Sequence, residues 1–455
     1  MRLRTLAVAS APVLGALAWL ACGDDAPAPG GGPDASITGE GGASSSSSSS
    51  SSSGGGDGGA APFPCEPGDG GWRRCPDNPL YLAGKSLPSG DLEISVGDPD
   101  VFFDEDDRTW KAWWSTGAAK TFAQAEGAPI HVKYAESKDG VHWTVQAEPA
   151  MTSGVDPQNW DDSQIETPSV VKVPGNPPDR RYVMYYAGAN YVDYPKKPGA
   201  DFAWYQIGVA FSPDGKKFTR LPAAESPYAG KATGFRKHEG LLLLGKDAFP
   251  GVANVEEGLV ADPEIVVANG TFHLFFSSYG TRADRTTLAG SAYGTSVARS
   301  TDGVHFTVAN GNPRWVGDTQ PSVIKVGAAW ELYTVRDSAE DFARVPTSFN
   351  PYYGIWKRTS ADLETWSDRG ASHDFVFDPS VASERYGWVK AGDVAYRDGI
   401  RRYYYVAFGD QNVPPGFATI LRPDAGVPLP DGSIDLGAAG VVVPAVIGLH
   451  VAARR

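Results

Sequence analysis

Five times after residue 92 the chain runs through the same pattern, and this repetition constrains its fold more than anything else in the sequence. Each run opens on a turn-like pentapeptide. These are Gly97-Asp98-Pro99-Asp100-Val101, Glu166-Thr167-Pro168-Ser169-Val170, Ala261-Asp262-Pro263-Glu264-Ile265, Thr319-Gln320-Pro321-Ser322-Val323 and Lys390-Ala391-Gly392-Asp393-Val394, the last with Gly in place of Pro. A short β-branched run, a tight turn and an aromatic strand follow. The aromatic strands are marked by Trp113-Trp114, Tyr185-Tyr186, Phe275-Phe276, Tyr333 and Tyr403-Tyr404-Tyr405. Pro suits the first residue of a strand, where no ladder donor is lost. It is expected to hold the residue before it in an extended conformation.

A hairpin pattern follows within each unit. It reads Ser137-Lys138-Asp139-Gly140, Ser212-Pro213-Asp214-Gly215 and Ser300-Thr301-Asp302-Gly303, loosens to Ser360-Ala361-Asp362-Leu363 in unit four, and is absent from unit five. Asp-Gly between strands is a strong hairpin signal, because Gly accepts the positive φ of a tight turn. We read these turns as structural. Each unit is then four antiparallel strands, and five in tandem predict an all-β chain, a five-bladed β-propeller of four-stranded antiparallel blades. The innermost strand of each blade faces the axis, so the five opening segments converge on one mouth.

Carboxylates gather at these openings. Asp98 and Asp262 stand immediately before Pro, Glu166 stands two before, and Asp318 three before Pro321. Several carboxylates around a polar funnel suit glycoside hydrolysis. One serves as base or nucleophile and another as acid, and neighbouring negative charge raises the acid's pKa. Trp160, Trp315 and Trp388 each lie shortly before an opening, where an indole could stack on a sugar or could pack between blades. The seven His residues are scattered, and no His-Glu-x-x-His or Walker-type loop occurs.

Over residues 92–410 the Asp-Pro starts, the Ser-x-Asp-Gly hairpins and the five units resemble the five-bladed propeller glycoside hydrolases. These are the family 43 arabinanases and xylosidases, the family 32 and 68 fructosidases and the family 130 relatives. The resemblance implies that Asp98 is the base and that Asp262 positions the acid and tunes its pKa. It implies a Glu acid in unit four, where this sequence has Thr319-Gln320-Pro321. Glu166-Thr167-Pro168 resembles the family 32 acid motif but falls in unit two, which makes Glu166 the first candidate acid, with Asp318, Glu256 and Glu257 behind it. The expected activity is hydrolysis of an oligo- or polysaccharide of arabinan, xylan or fructan type. The other reading is a non-catalytic carbohydrate-binding propeller that has lost its acid. No cofactor is expected and no metal ligand is put forward; a central Ca²⁺, found in some of these families, has no argument from these residues.

The first 64 residues belong to a different regime. Arg2 and Arg4 precede an apolar run that ends in small residues, and Leu20-Ala21-Cys22 resembles a bacterial lipoprotein signal. Residues 1–21 are therefore read as a signal peptide and Cys22 as the lipidated N-terminus; an ordinary secretory signal cut nearby is the alternative. Residues 22–64, with ten consecutive serines from Ser44 to Ser53, cannot bury enough apolar surface to fold and read as a tether. Residues 65–455 form the propeller domain. With Cys22 lipidated, Cys65 and Cys75 remain as a pair expected to form one disulfide in an oxidising compartment. The expected location is the cell envelope, at the outer membrane or cell surface, with the lipid as sole membrane contact. A formal net charge of −14 argues against nucleic acid as a partner. The expected partner is carbohydrate, and the expected state a monomer.

Overall fold

The structure is a computed structural model. It describes residues 65, 72–76, 80–82, 90–119, 129–190, 205–250, 255–282, 294–336, 354–370, 374–376, 390–407 and 446–453. The signal peptide, Cys22, the tether and Trp388 lie outside these residues. The described chain is all-β, with single 3₁₀ turns at Pro178–Arg180, Ala223–Glu225 and Gly245–Ala248 and no α-helix among the described residues.

Two short strands, β1 (Arg73–Arg74) and β2 (Tyr81–Leu82), precede the repeats. Unit one holds β3 (Leu92–Asp104), β4 (Thr109–Ala119), β5 (Ile130–Ser137) and β6 (Trp143–Val145). Unit two holds β7 (Gln164–Lys172), β8 (Tyr182–Ala189), β9 (Gln206–Ser212), β10 (Thr219–Arg220) and β11 (Leu241–Leu243). Unit three holds β12 (Val255–Ala268), β13 (Thr271–Arg282), β14 (Gly294–Ser300), β15 (Thr307–Val308) and β16 (Trp315–Val316). Unit four holds β17 (Asp318–Val326), β18 (Ala329–Arg336), β19 (Gly354–Ser360) and β20 (Phe375–Val376). Unit five holds β21 (Lys390–Arg397), β22 (Ile400–Ala407) and β23 (Val446–Ala453). Within each unit the strands pair antiparallel in chain order, except that β11 pairs with β9 and β16 with β14, and one parallel bridge, Ile130 to Gln164, joins units one and two into a single sheet. In unit five both β1 and β2 pair with β23, so the two ends of the domain share one sheet.

The first strands neighbour one another in cyclic order: β3 lies against β7, β7 against β12, β12 against β17, β17 against β21, and β21 against β3. The apolar core is divided to match. One cluster joins Trp113 and Tyr134 of unit one to Tyr182 and Tyr186 of unit two. Equivalent clusters join Tyr185 to Leu274, Phe275 to Leu332, Tyr333 to Tyr403, and Tyr404 to Trp110. Burying one such ring contributes about 4–6 kcal/mol of gross transfer energy.

One aromatic in each unit lies opposite the third residue of the opening Asp-Pro-Asp-type step. These are Trp113 across from Asp100, Tyr185 from Ser169, Phe275 from Glu264, Tyr333 from Ser322 and Tyr404 from Asp393. Four of them meet the hairpin of the next unit. The Trp113 indole N–H donates to the Gly215 carbonyl at 2.8 Å, the Tyr185 hydroxyl to Gly303 at 2.7 Å and the Tyr404 hydroxyl to Gly140 at 2.9 Å. Phe275 packs on Leu363 and edge-on to Trp366. The hairpin motif is missing from the sequence of unit five, and Trp72 from the N-terminal segment lies edge-on to Tyr333. The Cys65–Cys75 disulfide is present, with both residues buried in the cluster that holds Trp110 and Tyr404.

Candidate active site

Four of the five opening segments do not enter their strands extended. Asp98, Thr167, Asp262 and Gln320, each directly before Pro, have φ of 51°, 50°, 48° and 51°. The expectation of an extended residue before Pro is corrected here. At each opening the register slips between Gly97 and Asp100, Glu166 and Ser169, Ala261 and Glu264, Thr319 and Ser322, and Lys390 and Asp393. Each is a bulge in which two residues face one on the partner strand. In units one to four those two are the left-handed residue and the Pro after it.

Two rings of side chains result. The outer one holds Asp98, Thr167, Asp262 and Gln320, with Gly392 in unit five. The inner one holds Asp100, Ser169, Glu264, Ser322 and Asp393. Members of both line one cavity of about 30 Å³, which is room for a water or two and not for a sugar ring. The cavity is therefore the floor of any cleft built on this face.

The inner ring closes on itself through the backbone. Each of its side chains accepts the amide N–H at the start of a neighbouring unit's strand: Val170 to Asp100 at 3.1 Å, Ile265 to Ser169 at 3.1 Å, Val323 to Glu264 at 2.8 Å, Val394 to Ser322 at 2.9 Å and Val101 to Asp393 at 2.8 Å. Ser169 and Ser322 donate their hydroxyls to Glu264 and Asp393 at 3.0 and 2.8 Å. Carboxylate oxygens of Asp100, Glu264 and Asp393 lie within 4.8 Å of one another. Burial, reinforced by the neighbouring negative charges, pushes Asp100 and Glu264 well above the ordinary carboxyl range. Burial raises Asp393 to about 6. Three buried carboxyls so close together resist ionising jointly, and a proton or a cation among them relieves that repulsion. All-oxygen donors suit a hard cation, and the buried Thr167 hydroxyl, without a hydrogen-bond partner, belongs to a residue lining the same cavity. The residues thus fit a cation that sequence reading did not put forward.

Asp98 and Asp262 are brought together on the cavity wall. Asp98 receives the Ser115 hydroxyl at 3.0 Å. Glu166 is beside the cavity but is not among its lining residues. It is 5 % exposed and receives the Tyr205 hydroxyl, which also lies 2.6 Å from Gln164 Oε1. Asp318 is buried and paired with Arg358 at 2.7 Å, a structural ion pair. The side chains of Glu256 and Glu257 are outside the described residues.

The tryptophans resolve toward packing. Trp160 is fully buried, stacks on Tyr186 at 5.7 Å and donates its indole N–H to the Glu239 carbonyl at 2.8 Å, so no face remains for a sugar. Trp315 stacks on Phe275 at 6.5 Å and meets Trp366 edge-on at 6.0 Å, away from the cavity lining. Trp160 has no face open to a sugar, whereas Trp315 is half-buried.

No protein-family model matches the chain. No curated protein matches it. Among solved structures it is similar to that of a BT0996 RGII complex at 15 % identity, over 82 % of this chain and 92 % of that one, with a TM-score of 0.50. It is also similar to Zg3597, a family 117 glycoside hydrolase produced by the marine bacterium Zobellia galactanivorans, at 13 % identity, over 84 % and 89 %, with a TM-score of 0.50. These likenesses are of fold.

Proposed function

We propose that the chain is a five-bladed β-propeller glycoside hydrolase acting on an oligo- or polysaccharide of arabinan, xylan or fructan type. Asp98 is the base or nucleophile, Asp262 orients the acid and tunes its pKa, and Glu166 is the acid. The observation that carries this reading is the meeting of Asp98 and Asp262 on one axial wall, each in a strained backbone conformation. Such strain concentrates at functional sites. The cyclic order of first strands supports the five blades, and the likeness in fold to a family 117 glycoside hydrolase supports the reaction class.

In this role Asp98 takes the proton of the attacking water or itself bonds the anomeric carbon. The bond from that carbon to the leaving oxygen breaks, and the acid supplies the departing oxygen with a proton. The protein is exported and held at the outer membrane or cell surface through lipid on Cys22, with residues 23–64 giving reach.

One observation favours a second reading, a non-catalytic carbohydrate-binding surface lipoprotein. Thr319 and Gln320 occupy the place where the resemblance implies a Glu. Incubating the purified protein with arabinan, xylan, fructan and mannoside substrates separates the two. Release of reducing sugar from one of them is the expected result; saturable binding with no release from any would establish the second reading.

A further inference from the structure

Four outer-ring positions share one backbone shape and differ in what they carry. Asp98, Thr167, Asp262 and Gln320 all have φ near +50°. Asp tolerates that conformation, whereas a β-branched residue adopts it only under strain. The Thr167 main chain is tied to unit one, since its amide N–H donates to Ser115 Oγ at 2.9 Å. Its side chain departs from expectation a second time. Thr167 is 9 % exposed, and its hydroxyl is buried with no hydrogen-bond partner in the protein. Buried polar groups are almost always satisfied. Thr167 therefore keeps two local penalties, of which Asn would relieve the first and Val the second. A residue that breaks local rules on the wall of a cavity points to a function there.

What the cavity takes follows from its size and its chemistry. It holds about 30 Å³ between Asp98, Thr167, Asp262 and Gln320, which admits a group the size of a hydroxyl and no ring. Ionised carboxylates only accept hydrogen bonds, whereas a threonine hydroxyl has a proton to give. The group that accepts from Thr167 and donates to a carboxylate is a hydroxyl. A single χ1 step exchanges a threonine's hydroxyl and methyl, so an entering group meets the hydroxyl without displacing the backbone. We infer that Thr167 is a substrate-binding residue: with a sugar ring lying across the mouth, one hydroxyl of that ring enters the axial cavity, accepts the Thr167 Oγ1 proton and donates to Asp98 or Asp262. That the entering hydroxyl belongs to a sugar rests on the glycoside hydrolase reading; the unmet hydroxyl of Thr167 does not.

The test uses two variants of the full chain. Thr167→Val keeps the β-branched shape and removes the hydroxyl; Thr167→Ser keeps the hydroxyl. Without glycan, Thr167→Val should melt at or above the wild-type temperature, because no protein group loses a partner. Calorimetric titration with oligosaccharides of arabinose, xylose, fructose and mannose then reads the contact. For whichever of them the wild type binds, affinity should fall about tenfold in Thr167→Val and stay within a few fold of wild type in Thr167→Ser. A lowered Tm in glycan-free Thr167→Val would give the hydroxyl a structural partner and overturn the inference. Unchanged affinity in Thr167→Val overturns the contact and leaves the hydrolase reading standing. A loss seen only with added Ca²⁺, and absent from chelator-treated protein, assigns the hydroxyl to a cation and overturns it as well. A wild type that binds none of the four overturns the inference together with the proposed function. Lost affinity in Thr167→Val, in a protein whose wild type releases no sugar, upholds the contact and overturns the hydrolase reading.

Discussion

Asp98, Thr167, Asp262 and Gln320 hold φ near +50° without being glycine. Each costs on the order of 1–3 kcal/mol, which the surrounding sheet must offset. Thr167 is the worst suited, because a β-branched side chain rarely adopts that conformation, and its buried hydroxyl has no hydrogen-bond partner. Thr167→Asn is therefore expected to stabilise the protein by about 1 kcal/mol in urea unfolding; a loss of stability would show that the larger buried amide costs more than the strain it relieves. The inner ring makes a different demand. Asp393 sits at about 6, above its ordinary 3.8. A carboxyl held above its unfolded value binds its proton more tightly when folded. Its stabilisation is full below about pH 4 and is lost as the pH rises through about 6, a change of about 2–3 kcal/mol. Thermal melts should show Tm falling across that window, and Asp393→Asn should flatten the fall. These residues are in view in the sequence: Asp100, Ser169, Glu264, Ser322 and Asp393 each stand at the same step of the repeat and all can accept a hydrogen bond. Their ring was not legible because each accepts from an amide of another unit, whereas the residue before Pro carries a strong local signal.

Among the elements, the Asp-Gly hairpins and the aromatic second strands were legible because each depends on local chemistry. Asp139, for example, accepts the amides of Val141 and His142 at 2.9 and 2.8 Å within its own turn. Their joint role was not legible, since the donor to each turn glycine's carbonyl comes from the preceding unit across the ring. Gly303 shows the two demands together. Its φ is +75°, and a Cβ there would meet Phe272 at 2.9 Å and the Tyr185 hydroxyl at 3.0 Å. Gly270 has φ of +76° but open space around it. Gly270→Ala should cost about 1–2 kcal/mol, the backbone term alone. Gly303→Ala should cost about 1–3 kcal/mol more through overpacking, and equal losses in urea unfolding would deny the inter-unit dock. The bulges escape a sequence reading for a related reason. The preference of a residue before Pro for extended backbone is a property of the isolated dipeptide, and here five neighbouring strands override it.

At the scale of the molecule, contacts between unit five and unit one join what the sequence keeps far apart. The fifth unit completes its sheet with β1 and β2 from the N-terminal side and β23 from the C-terminal side. Val101 donates to Asp393, and Tyr404 to Gly140. Pairings over such separations leave no local pattern, so unit five reads as incomplete in the sequence. If Cys22 carries the proposed lipid, Cys22→Ser is expected to move the protein from the envelope fraction to the soluble one; unchanged fractionation would rule the lipid anchor out. The central claim is that the ring exists to hold Asp98 where it can act on a glycosidic bond. Asp98→Asn keeps shape and removes charge, so its kinetics on whichever glycan the wild type hydrolyses, with binding of that glycan measured alongside, test the claim most directly. In Asp98→Asn kcat is expected to fall by on the order of a hundredfold or more while affinity stays within a few fold. Undiminished kcat in Asp98→Asn would contradict it.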